Sequence, residues 1–306
     1  MRAVTYPAYS TDLSTLVVGD RPEPKVAPSA VLIEVKAAAV NPVDWKLMAG
    51  GLDGLMDSVF PVIPGWDVAG VVAAVGPDTP ELAVGDEVIA YARKETNSGG
   101  TFAEYVAVPA SAVARKPSTL SFEQAAGLPL AGGTALRTLD ALQVSGGDTV
   151  LIHAAAGGVG SLAVQVALAS GARVIGTASP ANHDYLRALR AEPVAYGDGL
   201  VARVQALAPA GVDAVADFVG GQLETSLAVL ADGGRLASVA DPGVIDHGGR
   251  WIWVRPDGTE TARLAALADE GNLSVEVAQT LGLDGVAQAF ALSQSGHVRG
   301  KLIIVP

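Results

Sequence analysis

Residues 153–179 read HAAAGGVGSLAVQVALASGARVIGTAS and follow directly on the apolar run DTVLI of residues 148–152. Three glycines, Gly157, Gly158 and Gly160, thus stand between a buried-strand pattern and an apolar helix pattern, and ARVIGTAS then reads as a second strand. Without a Cβ at these positions the backbone of Ala156, Gly157, Gly158, Val159 and Gly160 can approach a pyrophosphate, whose charge would lie over the N-terminus of the helix beginning near Val159. Glycines in a turn also serve plain helix–strand packing, but strand, turn and helix in immediate succession favour a dinucleotide site. Ala154 occupies the place of the first glycine, giving A-x-x-G-x-x-G over 154–160.

The residue that ends the second strand bears on which dinucleotide. A site for NADH places a carboxylate there, about twenty residues beyond the glycines, on the ribose 2′-hydroxyl. Here the count reaches Ser179, and no acid appears before Asp184. A carboxylate would repel a 2′-phosphate, whereas Ser179, Asn182 and His183 can donate hydrogen bonds to one. The expected cofactor is therefore NADPH, although no Arg or Lys adjoins Ser179 and Arg187 would have to reach back a helical turn.

Outward from this loop the chain has two textures. From about Ser121, helical stretches such as SLAVQVALAS and QLETSLAVLA alternate with brief strand-like runs such as PVAYGD, DAVADFVG and GRLASVA, the signature of a parallel sheet wrapped by helices. The first third instead has short β-type runs such as VLIEVKAAAV and DVAGVVAAVG, separated by Pro, Gly and Asp, and reads as an all-β unit. The last segment, with strands near LSVEVAQTL and KLIIV, fits either unit by pattern alone. At 306 residues, two domains are expected; with half the residues hydrophobic and 17% charged, they should be folded and compact.

A formal charge of −12 with no basic cluster argues against nucleic acid. The absence of cysteine removes disulfides, thiolate zinc sites and cysteine nucleophiles. No run is long and apolar enough to span a bilayer, and the start MRAVTYPAYSTDL is not a secretion signal, so a cytoplasmic protein without a membrane partner is expected.

AAAVNPVDWKLMAG, FPVIPGWDVAGVVAAVG, VGDEVIAY, GGTFAEYVAVPASAVARKPSTLSFEQAAGLPLAGGTAL, VLIHAAAGGVGSLAVQVA and GKLIIV occur in this order across the chain. Together they resemble the zinc-independent medium-chain dehydrogenase/reductases, specifically the NADPH:quinone oxidoreductases of the zeta-crystallin type and the enone reductases near them. The resemblance implies an α/β protein: a GroES-like β domain over 1–118, completed by 273–306, and a Rossmann domain with a doubly wound parallel sheet over 119–272. The active site would lie in the cleft, with the RGK turn of Gly300 and Lys301 closing it. In zinc-dependent relatives the metal is held by cysteine and histidine; the matching positions are Asn41, Trp66 and roughly Leu130, none of which replaces those ligands, so no metal is expected.

The implied chemistry is hydride transfer from NADPH to a small-molecule acceptor that is already electrophilic, a quinone or an enone. The resemblance points Asn41 and Thr134 at the nicotinamide as positioning groups, lays Tyr196 against the adenosine end, and brings Val219 and Val239 toward the nicotinamide. Lys46, Trp45 and Tyr91 are candidates for the proton donor, with water an equal competitor; family tyrosines after NPVD are replaced here by WKLMAGG. Trp45 and Trp66 read either as packing or as substrate contacts, and Asp44 as a structural carboxylate that caps a turn or pairs with a base, ahead of a catalytic role. His153 reads as a hydrogen-bonded structural residue. A homodimer is expected through the edge of the nucleotide-binding sheet, for which RWIWVRP is a fitting apolar strand. Two other functions stay open, an enoyl-thioester or biosynthetic-pathway reductase and a protein that binds NADPH without turnover.

Overall fold

The computed structural model describes all residues, 1–306. They form two compact units, Met1–Leu130 with Arg255–Pro306, and Ala131–Val254. No helix is long and apolar enough to cross a membrane.

The second unit is built on a six-stranded sheet, parallel throughout, in the order Glu192–Ala195, Arg173–Ala178, Thr149–His153, Val212–Asp217, Leu230–Ser238, Arg250–Trp251. Numbered along the chain this is the order 3-2-1-4-5-6 of a dinucleotide-binding sheet, whose switch point adjoins the first strand. Val150, Leu151 and Ile152 of that strand are wholly buried, as an unbroken apolar run in a parallel sheet requires. The helix Gly160–Ala169 is buried along most of its length. Leu151, Ile175, Val204, Val215 and Leu236 are among the residues of one shared core.

The first unit carries a seven-stranded sheet in the order Val277–Gly282, Lys301–Val305, Ala30–Val40, Asp67–Val75, Glu87–Tyr91, Val113–Arg115, with Tyr105–Pro109 also paired to Ala30–Val40. Ala30–Val40 is antiparallel to each of its neighbours, and Leu302 lies opposite Val40. The C-terminal segment places its last strand beside Ala30–Val40, the longest of the N-terminal strands.

The boundaries differ from those read in the sequence. Residues 119–130 and 255–272, expected in the nucleotide-binding unit on their helical texture, belong to the first unit. The helix Gly258–Asp269 starts so close to the β unit that a Cβ on Gly258 would lie 2.6 Å from the Val113 carbonyl. At its other end Asp269 accepts hydrogen bonds from the Ser118 hydroxyl and the Thr119 amide. Helical periodicity identifies an element without saying which sheet it covers, and here these contacts decide.

Candidate active site

In the first unit the strand Ala30–Val40 runs into the helix Pro42–Met48 through Asn41, with Pro42 at the first helical position. Asp44, three residues on, folds back so that its Oδ2 accepts the Asn41 backbone N–H at 2.7 Å. This is the turn-capping role expected for Asp44. The Asn41 amide is engaged on both sides: Nδ2 donates to Asp67 Oδ2 at 2.8 Å and to the Ala39 carbonyl at 3.3 Å, while Oδ1 accepts from Lys301 Nζ at 2.6 Å. Lys301 Nζ also donates to the Val40 carbonyl at 3.2 Å and stands 3.9 Å from Asp67. The other Asp67 oxygen accepts the Leu130 N–H at 2.8 Å.

All four of these polar side chains are buried, none more than 4% exposed. Two carboxylates thus share one ammonium away from water, and with all three charged a net negative charge would be stranded. Burial pushes Asp44 up to about 8 and Asp67 up to about 6. Burial also pushes the Lys301 ammonium down, opposed by Asp67 and Asp44. Near neutral pH the proton therefore resides on Asp44, leaving Asp67 and Lys301 as a balanced pair. Asp44 Oδ1 is buried with no hydrogen-bond partner.

Trp66 and Tyr91 adjoin this cluster. Tyr91 pairs with Asp67 across the sheet, the Ala92 N–H donates to the Trp66 carbonyl at 2.6 Å, and the two rings lie 5.9 Å apart. Burial raises the Tyr91 hydroxyl well above its ordinary range, so it holds its proton at any physiological pH. Trp45 and Lys46 sit differently. The Trp45 indole N–H donates to Ser293 at 3.1 Å, and Lys46 is exposed over the Trp45 ring.

In the second unit the glycine turn joins Thr149–His153 to Gly160–Ala169. Ala154 adopts φ +55°, a left-handed conformation that favours glycine, at the position where the motif has its first glycine. The turn is held by Thr177, whose hydroxyl accepts the Ala154 N–H and whose carbonyl accepts the Ala155 N–H. A Cβ on Gly160 would lie 2.1 Å from the Ala154 carbonyl, so helix and turn approach as closely as glycine permits. Gly157, Gly158 and Val159 remain partly open, while the Gly157, Ser161 and Leu162 amides already donate to the Ala154, Gly157 and Val159 carbonyls. These features fit a nucleotide pyrophosphate.

At the end of the second strand Asn182 Nδ2 donates to the Ser179 hydroxyl at 3.3 Å, and His183 Nε2 is buried without a partner. Arg187 is paired with Asp184 at 2.6 Å, which neutralises the first acid of this loop and occupies the arginine. Tyr196 and Val219 are exposed beyond their strand ends, and Val239 is half-buried. Thr134 is buried on the helix Pro129–Ala141, its carbonyl accepting from the Thr138 hydroxyl.

Two supports acquire their roles only in the folded chain. Asp217 ends its strand and holds the next turn: Oδ1 accepts the Val219 and Gly220 amides, both at 3.0 Å, and Oδ2 accepts the Ser238 hydroxyl at 2.8 Å. Asp67 and Lys301 form the other. Asp67 carries no local signal beyond a lone acid after PGW, and Lys301, expected in a cleft-closing turn, is tied to Asn41 and Asp67 once the strands are adjacent. His153 contacts Ser226 at 3.2 Å, and burial pushes it down to about 4, opposed by Asp217; it is neutral and structural, as expected.

The positions matching zinc ligands do not fit that metal. Trp66 and Leu130 present no ligating atom, and the Asn41 amide is committed to Asp67 and Lys301.

Residues 27–118 match the family described as alcohol dehydrogenase GroES-like domain, and residues 189–304 the family described as zinc-binding dehydrogenase. The chain is 35% identical to an NADPH-dependent alkenal/one oxidoreductase of Arabidopsis thaliana, over 92% of this chain and 74% of that protein. It is 34% identical to a 2-methylene-furan-3-one reductase of Solanum lycopersicum, over 100% of this chain and 79% of the other. Among solved structures, the quinone oxidoreductase from Coxiella burnetii superposes with a TM-score of 0.88 at 33% identity, covering 100% of this chain and 99% of that one. With relatives this similar over most of their length, and both sheets in place, the chain belongs to the medium-chain dehydrogenase/reductase family of oxidoreductases.

Proposed function

We propose that this protein is an NADPH-dependent reductase of α,β-unsaturated carbonyl compounds and quinones that works without zinc, as a homodimer in the cytoplasm. The observation that carries the reading is that Trp66, Leu130 and an Asn41 whose amide donors are engaged stand where zinc-dependent relatives carry metal ligands. A site without a Lewis acid suits an acceptor that is already electrophilic. Relatives named as alkenal/one and furanone reductases support this class.

The chain's residues would hold NADPH, whose hydride would be available to the β-carbon of an enone or to a quinone. The chain's part is to hold the reactants and to manage one proton, which ends on the α-carbon. Within Ala156–Gly160, amides other than that of Gly157, which donates to the Ala154 carbonyl, receive the pyrophosphate. Ser179, Asn182 and His183 donate to the 2′-phosphate, the buried and unpartnered His183 Nε2 gaining a partner there. Tyr196 lies along the adenosine, with Val219, Val239 and Thr134 toward the nicotinamide. Asn41 contributes as a rigid element, because its amide donors are already engaged and it has only an acceptor lone pair to offer. Of the proton donors, Tyr91 holds its proton too tightly and Lys46 is a solvated surface cation, so water delivers the proton. Trp66 lines the acceptor side, while Trp45 packs. The exposed Trp251 and Trp253, on and beyond the edge strand, form the dimer face.

The test is NADPH oxidation with methyl vinyl ketone and naphthoquinone, after exhaustive chelation, beside titrations of NADPH and NADH. Turnover that survives chelation and tighter NADPH binding are expected. Activity restored only by zinc would overturn the reading. Tight NADPH binding without turnover would turn it into a binding protein, and turnover of enoyl thioesters alone would make it an enoyl-thioester reductase.

A further inference from the structure

The chain carries 32 acidic against 20 basic residues, so guanidinium groups readily find carboxylates. Arg115 pairs with Asp86, Arg173 with Glu192 and Arg235 with Asp148. Arg93 does not follow them. It is half-buried, its Nε is buried with no hydrogen-bond partner, and the contact it makes is with the face of Tyr91, 5.9 Å from the ring centre. A guanidinium stripped of water at one nitrogen and given no acceptor is costly to maintain unless something else supplies the acceptor.

Its position relates it to the candidate site. Arg93 stacks on Tyr91, Tyr91 packs on Trp66, and Asp67, next in sequence to Trp66, binds Asn41. One continuous series of contacts within the first unit thus leads from a half-exposed cation to the buried cluster. The adjacent Lys94 is not a second free cation: its ammonium donates to the Gly99 carbonyl at 2.9 Å, and burial disfavours its charge. A single open guanidinium suits a monoanion better than a phosphate dianion.

We propose that Arg93, held on the Tyr91 ring, anchors a carboxylate carried by the acceptor, so that the preferred substrate is an enone bearing a carboxylate tail. Two donors of the planar guanidinium match two carboxylate oxygens, while the ring fixes its plane. The inference rests on the reductase reading above, and its test is arranged so that the two can fail separately.

Acetylacrylate and its methyl ester share one enone and differ by one charge. The wild-type protein is expected to favour the acid in kcat/KM. In Arg93→Met the acid-to-ester ratio should fall at least about tenfold, the loss of the charge-assisted pair of hydrogen bonds. Arg93→Lys, which keeps the charge, should retain most of it. If the methionine variant does not fold, Arg93→Gln gives the same reading. The saturated products, levulinate and methyl levulinate, report the same ratio without turnover, through tryptophan fluorescence in the presence of NADP+. Levulinate binding that depends on Arg93, in a protein that consumes no NADPH with any enone or quinone offered, would sink the reductase reading and leave this one standing. A ratio unmoved by Arg93→Met in both turnover and binding would overturn the anchor, as would equal losses for acid and ester.

Discussion

Replacing Asp44 by asparagine should make the first unit more stable at mildly alkaline pH and less dependent on pH. Asp44 has an ordinary value of 3.8 in the unfolded chain and about 8 in the folded one, raised first by burial. Between these values the folded state holds a proton that the unfolded state releases, so wild-type stability is fullest below pH 4 and falls as pH rises toward 8. At about 1.36 kcal/mol per pH unit, the whole effect is capped near 6 kcal/mol, and between about pH 5 and 8 it amounts to about 4. Sharing of the proton with Asp67 reduces this, and roughly 2–4 kcal/mol is the expected difference. The Asp44→Asn side chain keeps an oxygen for the Asn41 N–H and places an amide where Oδ1 lacks a partner, a pH-independent cost of about 1 kcal/mol. Urea titrations with Trp251 and Trp253 changed to Phe leave Trp45 and Trp66 as reporters on this unit. The variant should be level with or below the wild type near pH 5 and above it near pH 8. Parallel stability curves across that range would refute the assignment of the proton to Asp44.

Other expectations concern both units. Lys301→Met strands the Asp67 carboxylate and should cost about 3–5 kcal/mol, more at high pH than at low, with much of the loss recovered by adding Asp67→Asn; urea titration of the four proteins checks this. Ala154→Gly removes a left-handed alanine and should stabilise the second unit by about 0.5–1 kcal/mol after the added chain entropy, seen as a higher thermal midpoint. Gly160→Ala drives a Cβ against the Ala154 carbonyl and should destabilise that unit by about 2 kcal/mol or more while abolishing NADPH binding in a fluorescence titration. Ser179→Asp should weaken NADPH at least about tenfold relative to NADH in the same titration; an unchanged ratio would remove Ser179 from the 2′-phosphate site.

The nucleotide-binding half was legible because its information is local. Strand, turn and helix follow one another within 148–169, and an obligatory glycine such as Gly160 marks itself. Even the departure at Ala154 was visible as a missing glycine, although only the dihedral angle shows that the backbone conformation is kept without the residue that eases it. The polar cluster lay beyond such reading. Asn41, Asp67 and Lys301 meet across as many as 260 residues of separation, and their meaning depends on a distant strand lying beside Ala30–Val40. The resemblance points Asn41 at the nicotinamide, and only the folded chain shows that its amide also binds Asp67, Ala39 and Lys301. The unit boundaries were misplaced for a related reason: Phe122–Ala126 and Gly258–Asp269 show helical periodicity, and which sheet a helix covers is a tertiary fact.

The strand Lys301–Val305 also sets an order of assembly. Residues 131–254 are one uninterrupted stretch and have their parallel sheet available as soon as they leave the ribosome, whereas the β unit must wait with an open edge along Ala30–Val40 until synthesis reaches Val305. Until then Asp67 has no ammonium beside it. A nascent chain stalled or clipped before Lys301 would keep the stretch 131–254 and lack both a closing strand and a countercharge in the other unit.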